Sequence, residues 1–427
     1  MTYDCPIISL DHTRLLDSLA ATDNLLVIQD LDGVCMGLVK DPLTRVIDRR
    51  YVEAAQRLVG HFYVLTNGEH IGSRGVNGIV EKAFETPGQP AEQGFYLPGL
   101  AAGGVQLQDR HGQVSHPGVT DEELAFLQAI PAKAEAFLQD LLAAAPYGLS
   151  EDEAAPLVAS SVLDNLVSPT LNLNNLHQRF IDQPDLYPTL QQAAQRFMEQ
   201  LEREAAEAGL TDAFFIHYAP NLGHDEQGRE RVKSAEGTSA GTTDFQFMLK
   251  GAVKEVGVLV ILNHYYFQRT GHYPLGEHFN ARQAPRDPEA LLQLARDTFD
   301  PVHMPCIVGV GDTVTSYANE QNGQTQWLRG GSDRGFLTLV QALGKAFGSD
   351  NRVLYIDSSA GEVRRPGVDA ALLQRHADDP AQPPWAALKG ISDAEDPLKV
   401  DVIFCGGHRQ YVEFFCALAE RFACRQA

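Results

Sequence analysis

The chain is 427 residues long, 44% hydrophobic and 21% charged, which suits a globular protein of two or three domains, or one core carrying a large insertion. Its 56 acidic side chains exceed its 34 basic ones, and the resulting formal charge of −22 repels nucleic-acid phosphates and anionic lipid head groups. No nucleic-acid or membrane partner is therefore expected.

No stretch approaches the roughly 18 apolar residues needed to cross a bilayer. The opening MTYDCPIISLDHTR lacks a basic-then-apolar signal, so the expected location is cytoplasmic. Excess surface acid is compatible with a salty cytosol, where screening weakens its self-repulsion. The cysteines at 5, 35, 306, 405, 416 and 424 form no C-x-x-C pair and are expected to be reduced thiols, Cys35 included, since no base stands beside it in sequence.

Residues 11–20 carry Leu15, Leu16 and Leu19 at helical spacing. The stretch 25–34, LLVIQDLDGV, runs apolar up to Gln29 and breaks into Asp30, Leu31, Asp32 and Gly33, the pattern of a buried strand ending in a loop. A helix over 49–60 follows, with Val52, Ala55, Leu58 and Val59 on one face and a closing Gly60. A second strand at 61–66, HFYVLT, stops at Thr66, Asn67 and Gly68. Strand, helix, strand with polar residues at both tips predicts an α/β fold built on a doubly wound, mostly parallel sheet. Short strands around a glycine turn are expected within 94–108, GFYLPGLAAGGVQLQ.

From 120 to 210 the composition is helical, rich in Ala, Gln, Glu and Leu and punctuated by prolines, and AFFIHY at 213–218 reads as a strand. These features predict a core domain in two parts, 1–117 and 241–427, with an α/β cap inserted at 118–240. From Asp244 onward, Phe245, Leu249, Ala252, Val256, Leu259 and Phe267 step by three or four, predicting one long helix. A helix at 284–299 leads into the strand 304–310, MPCIVGV, which ends in Gly311 and Asp312. A helix over 332–347, strands at 352–356 and 400–404 and a final helix over 410–422 complete the core, with 358–396 as a surface excursion.

Three strand tips thus present polar residues where open α/β sheets bind ligands: Asp30 with Asp32, Thr66 with Asn67, and Asp312. Alternate residues of an extended segment face one way, so Asp30 and Asp32 can converge on one substrate or ion. With VIQDLDGV, VLTNG, Lys250 in LKGA and IVGVGDTVTS in that order, the sequence resembles the haloacid dehalogenase superfamily of phosphatases over nearly its whole length. The long interval before the lysine is where sugar-phosphate phosphatases of that superfamily carry a cap. More narrowly, the length, DLDGVCMGLV and the acidity are similar to the glucosylglycerol-phosphate phosphatase family of salt-tolerant cyanobacteria.

The resemblance implies a Rossmann-like core and a Mg2+-dependent phosphomonoesterase that frees the compatible solute glucosylglycerol from its 3-phosphate. Asp30 is then the nucleophile, Asp32 the general acid and base, and Thr66 and Lys250 the groups that hold the phosphoryl group. Lys233 and Lys254 compete for the lysine role. Asp30, the backbone carbonyl of Asp32 and Asp312 form the implied Mg2+ shell. Ser316 stands where many relatives carry a second acid; either it orients a metal-bound water or Asp333 supplies the carboxylate, although Asp333 also suits a helix cap. Asn67, Gly68 and Glu69 at the second strand tip, and His217 and Tyr218 in the cap, are candidates for substrate contact. A phosphatase for trehalose or sucrose phosphate stays open, as does a catalytically silent sugar-phosphate-binding protein. The synthase that makes the substrate is a candidate partner.

Overall fold

The computed structural model of the protein describes residues 8–183, 185–225, 227, 229–235, 240–321, 324–379 and 381–426. Two compact units emerge, one made of Met1–His70, Val76–Pro117 and Val253–Ala427 and the other of Ile71–Gly75 and Gly118–Ala252.

The first unit is a Rossmann-like α/β domain around an eight-stranded sheet. Its strands run in the spatial order Val402–Phe404, Arg352–Ile356, Cys306–Gly311, Leu25–Gln29, Phe62–Leu65, Gly99–Ala101, Gln106–Gln108 and Val114–Ser115. The first six are parallel, Gln106–Gln108 pairs antiparallel to the sixth, and Val114–Ser115 pairs antiparallel to Gln106–Gln108. From the central strand Leu25–Gln29 the chain moves to one side, and it later returns to the other through Cys306–Gly311. The order of strands therefore reverses between these two, which opens a crevice beyond their carboxyl ends.

All five residues of the central strand are buried, as expected for a strand covered on both faces. Leu25 and Val27 join one cluster with Tyr51, Tyr411 and Phe415, contributed by the helices Arg49–Arg57 and Gly407–Gln426. Val308 and Val310 of the neighbouring strand belong to the same cluster. On the opposite face the helix Lys254–Thr270 packs beside the helix Arg334–Phe347.

The second unit holds a four-stranded antiparallel sheet in the order Val162–Leu163, Thr170–Asn172, Asp244–Leu249, Phe214–Ala219, with the long helix Leu186–Glu207 against it. The segment after Asp244, expected as the start of a long helix, is instead a strand of this sheet, and the helix starts only at Lys254. Phe245, Phe247 and Leu249 are fully buried, and Asp244 and Gln246 between and before the phenylalanines are only partly so, which is the period of two of a strand. The inserted unit accordingly extends to Ala252, beyond the expected boundary at 240, and also takes in Ile71–Gly75. A hairpin of Thr315–Gln321 and Gln324–Gly330 was not anticipated at all.

Gln29, at the end of the central strand, is a buried polar residue with every side-chain group engaged. Its amide donates to the Tyr51 hydroxyl at 2.6 Å and to the Asp30 carbonyl at 3.1 Å, and its carbonyl accepts from the Tyr411 hydroxyl at 2.8 Å. Replacing Gln29 with Leu strands both tyrosine oxygens in the core, at a cost of about 1–3 kcal/mol for each unsatisfied group. We expect Gln29→Leu to lower the melting temperature, and Gln29→Leu combined with Tyr51→Phe and Tyr411→Phe to recover most of the loss in the same thermal melt.

Candidate active site

The site begins at the tip of the central strand. Gln29 aligns with Val310 on one side and Val64 on the other, which places Asp30 level with Gly311 and Leu65. The Asp30 N–H donates to the Val310 carbonyl at 3.0 Å, and the Leu31 N–H donates to Asp30 Oδ1 at 2.8 Å. Asp30 is only 6% exposed, and its Oδ2 lies 2.8 Å from the Lys254 ammonium.

Lys254 is the first residue of its helix and its side chain is buried. The ammonium also meets Asp333 Oδ1 at 2.7 Å. Asp333 Oδ2 accepts the backbone N–H groups of Asp312 and Thr313 at 2.9 and 3.0 Å. Asp333 stands at the head of the Arg334–Phe347 helix but makes no side-chain cap there, so its carboxylate serves the cluster and not the helix. Asp312 completes the group: its Oδ1 accepts from the Thr313 hydroxyl at 2.8 Å, while its buried Oδ2 meets no hydrogen-bond geometry among the described residues, although the Ser358 side chain is close enough to help lower the Asp312 carboxyl.

Asp30, Asp312 and Asp333 offer carboxylate oxygens within 4.8 Å of one another. Among the described residues, three buried carboxylates meet one ammonium, that of Lys254, a formal excess of two negative charges when all three are ionised. Burial, opposed by Lys254 and reinforced by Asp333, raises the Asp30 carboxyl, and burial with Asp333 and Asp30 raises Asp312 well above the ordinary range. Lys254 is driven the other way from what burial alone would do, because Asp30 and Asp333 hold it protonated. An all-oxygen donor set with that charge excess, and with Asp312 Oδ2 outside hydrogen-bond geometry among the described residues, fits a hard divalent cation. The surrounding backbone leaves the space open. A Cβ on Gly33, whose φ is +81°, would stand 2.1 Å from Asp312 Oδ2, and one on Gly311 would stand 2.7 Å from Asp333 Oδ2.

Asp32 is separate from this cluster. Its side chain is 34% exposed, and its Oδ2 pairs with Arg45 Nη1 at 2.9 Å. Thr66 is buried at the second strand tip, where its hydroxyl accepts from the Gly68 N–H at 3.3 Å. Asn67 and Gly68 are half-buried in the same loop. Glu69, expected to meet substrate, turns inward and accepts from the Gln106 amide at 3.4 Å.

Lys250, expected as the phosphoryl-holding lysine, is not one of the groups that meet Asp30. It lies in the inserted unit, where it pairs with the exposed Asp212 at 2.7 Å. Lys254, one of its two competitors, is the lysine that meets Asp30. The Ser316 hydroxyl is engaged elsewhere: the hairpin carries it onto Asp393, which Arg329 also grips with two hydrogen bonds. In the inserted unit Tyr218 is buried with its ring edge on Phe245, a packing role that the expected substrate contact did not foresee. His217 Nδ1 is bonded to Glu230 at 2.8 Å.

The sequence pattern of the glucosylglycerol-phosphate phosphatase family matches residues 24–419. The chain belongs to this family. A glucosylglycerol-phosphate phosphatase from Synechocystis sp. is 51% identical over 413 residues, covering 97% of this chain and 96% of that one. Among solved structures, the trehalose-6-phosphate phosphatase C-terminal domain of C. albicans aligns over 97% of this chain and 99% of its own, with 11% identity and a TM-score of 0.44. Trehalose-6-phosphate phosphatase from Aspergillus fumigatus aligns over 97% and 100%, with 9% identity and a TM-score of 0.38.

Lys254 and Lys250 are distinguished by burial. Truncating one partner of a buried, hydrogen-bonded ion pair costs on the order of 3–5 kcal/mol. We expect Lys254→Met to show a marked drop in thermal stability and Lys250→Met to melt with the parent protein; equal behaviour of the two would contradict the assignment.

Proposed function

We propose that the protein is a Mg2+-dependent phosphomonoesterase that hydrolyses glucosylglycerol 3-phosphate through an aspartyl-phosphate on Asp30. The observation that carries this reading is the meeting of Asp30, Asp312, Asp333 and Lys254 at the carboxyl edge of the sheet. The choice of ester rests on the Synechocystis relative, 51% identical along nearly the full length of both chains.

A carboxylate oxygen of Asp30 attacks phosphorus, and the P–O bond to the glucosylglycerol oxygen breaks as Asp32 delivers a proton to that oxygen. Water then attacks the acyl phosphate and passes a proton to Asp32. Inorganic phosphate departs and the Asp30 carboxylate is regenerated, so the two steps consume only the ester and one water. Lys254 offsets the charge of the phosphoryl oxygens beside Asp30, and the Thr66 hydroxyl donates to one of them. Asp30, Asp312 and Asp333, with the backbone carbonyl of Asp32, would hold Mg2+, which when bound neutralises charge on the transferring group.

No helix among the described residues is long and apolar enough to cross a membrane. Cys35, Cys306, Cys405, Cys416 and Cys424 are all free, which supports a reducing, cytosolic setting. The charge of −22 suits a cytosol that accumulates salt, in keeping with a product that serves as an osmoprotectant.

Phosphate release from glucosylglycerol 3-phosphate, trehalose phosphate and sucrose phosphate is the direct test. We expect the first to be turned over fastest, EDTA to stop the reaction and Mg2+ to restore it. Asp30→Asn should abolish turnover with the melting temperature retained, and Lys254→Met should reduce kcat by about 10²–10³-fold. Binding of the ester without turnover, or an active Asp30→Asn, would remove the nucleophile from the scheme.

A further inference from the structure

The cluster around Lys254 accounts for Asp30 but leaves Asp32 without a device of its own, and Arg45 is the side chain that addresses it. Arg45 follows the short 3-10 turn Pro42–Thr44 and is 8% exposed, a high degree of burial for a permanently charged residue. Its Nε donates to the Pro42 carbonyl at 3.0 Å, which fixes the plane of the guanidinium. Nη1 then reaches Asp32 Oδ2 at 2.9 Å. The same Nη1 stands 3.8 Å from where a Cβ of Gly68 would be, so the guanidinium also borders the loop of the second strand tip.

One oxygen of the Asp32 carboxylate is thus clamped, while Oδ1 has no protein hydrogen bond among the described residues. A group that both gives and accepts a proton at one position needs a fixed orientation, and it needs its anionic form stabilised whenever the proton is on the substrate side. A guanidinium locked by its own loop supplies both without competing for the proton, because arginine does not itself deprotonate. We propose that Arg45 is a positioning residue that holds Asp32 by Oδ2 and presents Oδ1 to the leaving-group oxygen and then to the attacking water. This inference rests on the phosphatase reading above.

A double-mutant cycle tests it, because a residue that acts only through Asp32 has no effect once the Asp32 carboxylate is gone. Single-turnover hydrolysis of glucosylglycerol 3-phosphate, with enzyme in excess and Mg2+ present, would be measured for the parent, Arg45→Gln, Asp32→Asn and the double variant. We expect Arg45→Gln to slow the maximal rate by about 10–10²-fold and Asp32→Asn by about 10²–10⁴-fold. The double variant should match Asp32→Asn, with the half-saturating concentration unchanged throughout. Arg45→Lys, which keeps the charge but not the fork, should recover part of the rate and serves as the second arm if Arg45→Gln does not fold. Multiplicative losses, an unaffected Arg45→Gln rate, or a loss confined to half-saturation would overturn the positioning role while leaving the phosphatase intact. A parent protein without turnover would instead overturn the phosphatase reading, and the positioning role with it.

Discussion

The Lys254 ammonium, held between Asp30 and Asp333 at 2.8 and 2.7 Å, is the interaction on which the site depends. Burying an ion is costly, several kcal/mol for each even after relaxation, so three carboxylates cannot share a dry pocket on packing grounds alone. One ammonium compensates part of that cost and draws two carboxylates onto itself. Backbone N–H groups take the rest: Leu31 donates to Asp30, and Asp312 and Thr313 donate to Asp333. What remains uncompensated is the Asp312 Oδ2 side of the cluster, which is where a dication fits. On the proposed function, an anionic ester would be repelled by these carboxylates alone, and a bound cation would offset that repulsion.

Four separated parts of the chain contribute to this one contact, and the topology explains how. Asp30 and Asp312 end adjacent parallel strands, Lys254 begins a helix on one face of the sheet, and Asp333 begins the helix that follows the Thr315–Gly330 hairpin. The hairpin interrupts what would otherwise be a short strand-to-helix connection. Its base is closed by Arg334, whose guanidinium makes two hydrogen bonds to Asp396 and one to the Thr315 carbonyl. Next to it, Asp393 collects Arg329 and Ser316. With Arg334 anchored, the preceding Asp333 is returned to the cluster despite the intervening strands.

The sequence made the strands of the core legible because each is a short, wholly buried run whose neighbours are polar, and burial on both faces is a local property of composition. Asp30, Asp32, Thr66 and Asp312 were placed by the same logic, as residues at the ends of such runs. Lys254 was obscured by a coincidence of spacing: Phe245, Leu249, Ala252 and Val256 step at helical intervals across a junction between strand and helix, which drew attention to Lys250. The alternation of Phe245, Phe247 and Leu249 was the signal that could have corrected it. Asp333 is less legible because it stands 21 residues along the chain from Asp312, behind the hairpin of Thr315–Gln321 and Gln324–Gly330. Arg45 had no sequence signal, since nothing in a loop arginine reveals that it will be buried against a carboxylate.

Asp30 and Asp32, two residues apart, occupy opposite environments, and on the proposed function this difference divides their work. Asp30 is dry, held by an ammonium that belongs to a helix and surrounded by further acids, so it sits with the phosphoryl group's own charge balance. Asp32 is 34% exposed and held by a guanidinium from a neighbouring loop, outside the acid cluster, which on the proposed function leaves it able to exchange protons with water and with an alcohol. Exchanging the two partners would defeat both roles. A fixed fork on Asp30 would occupy oxygens needed for attack and for a cation, and a mobile ammonium on Asp32 would neither fix its plane nor leave Oδ1 predictably free. Separation of two chemically identical side chains into two functions is therefore a property of what each is paired with, and only secondarily of the strand end that carries them.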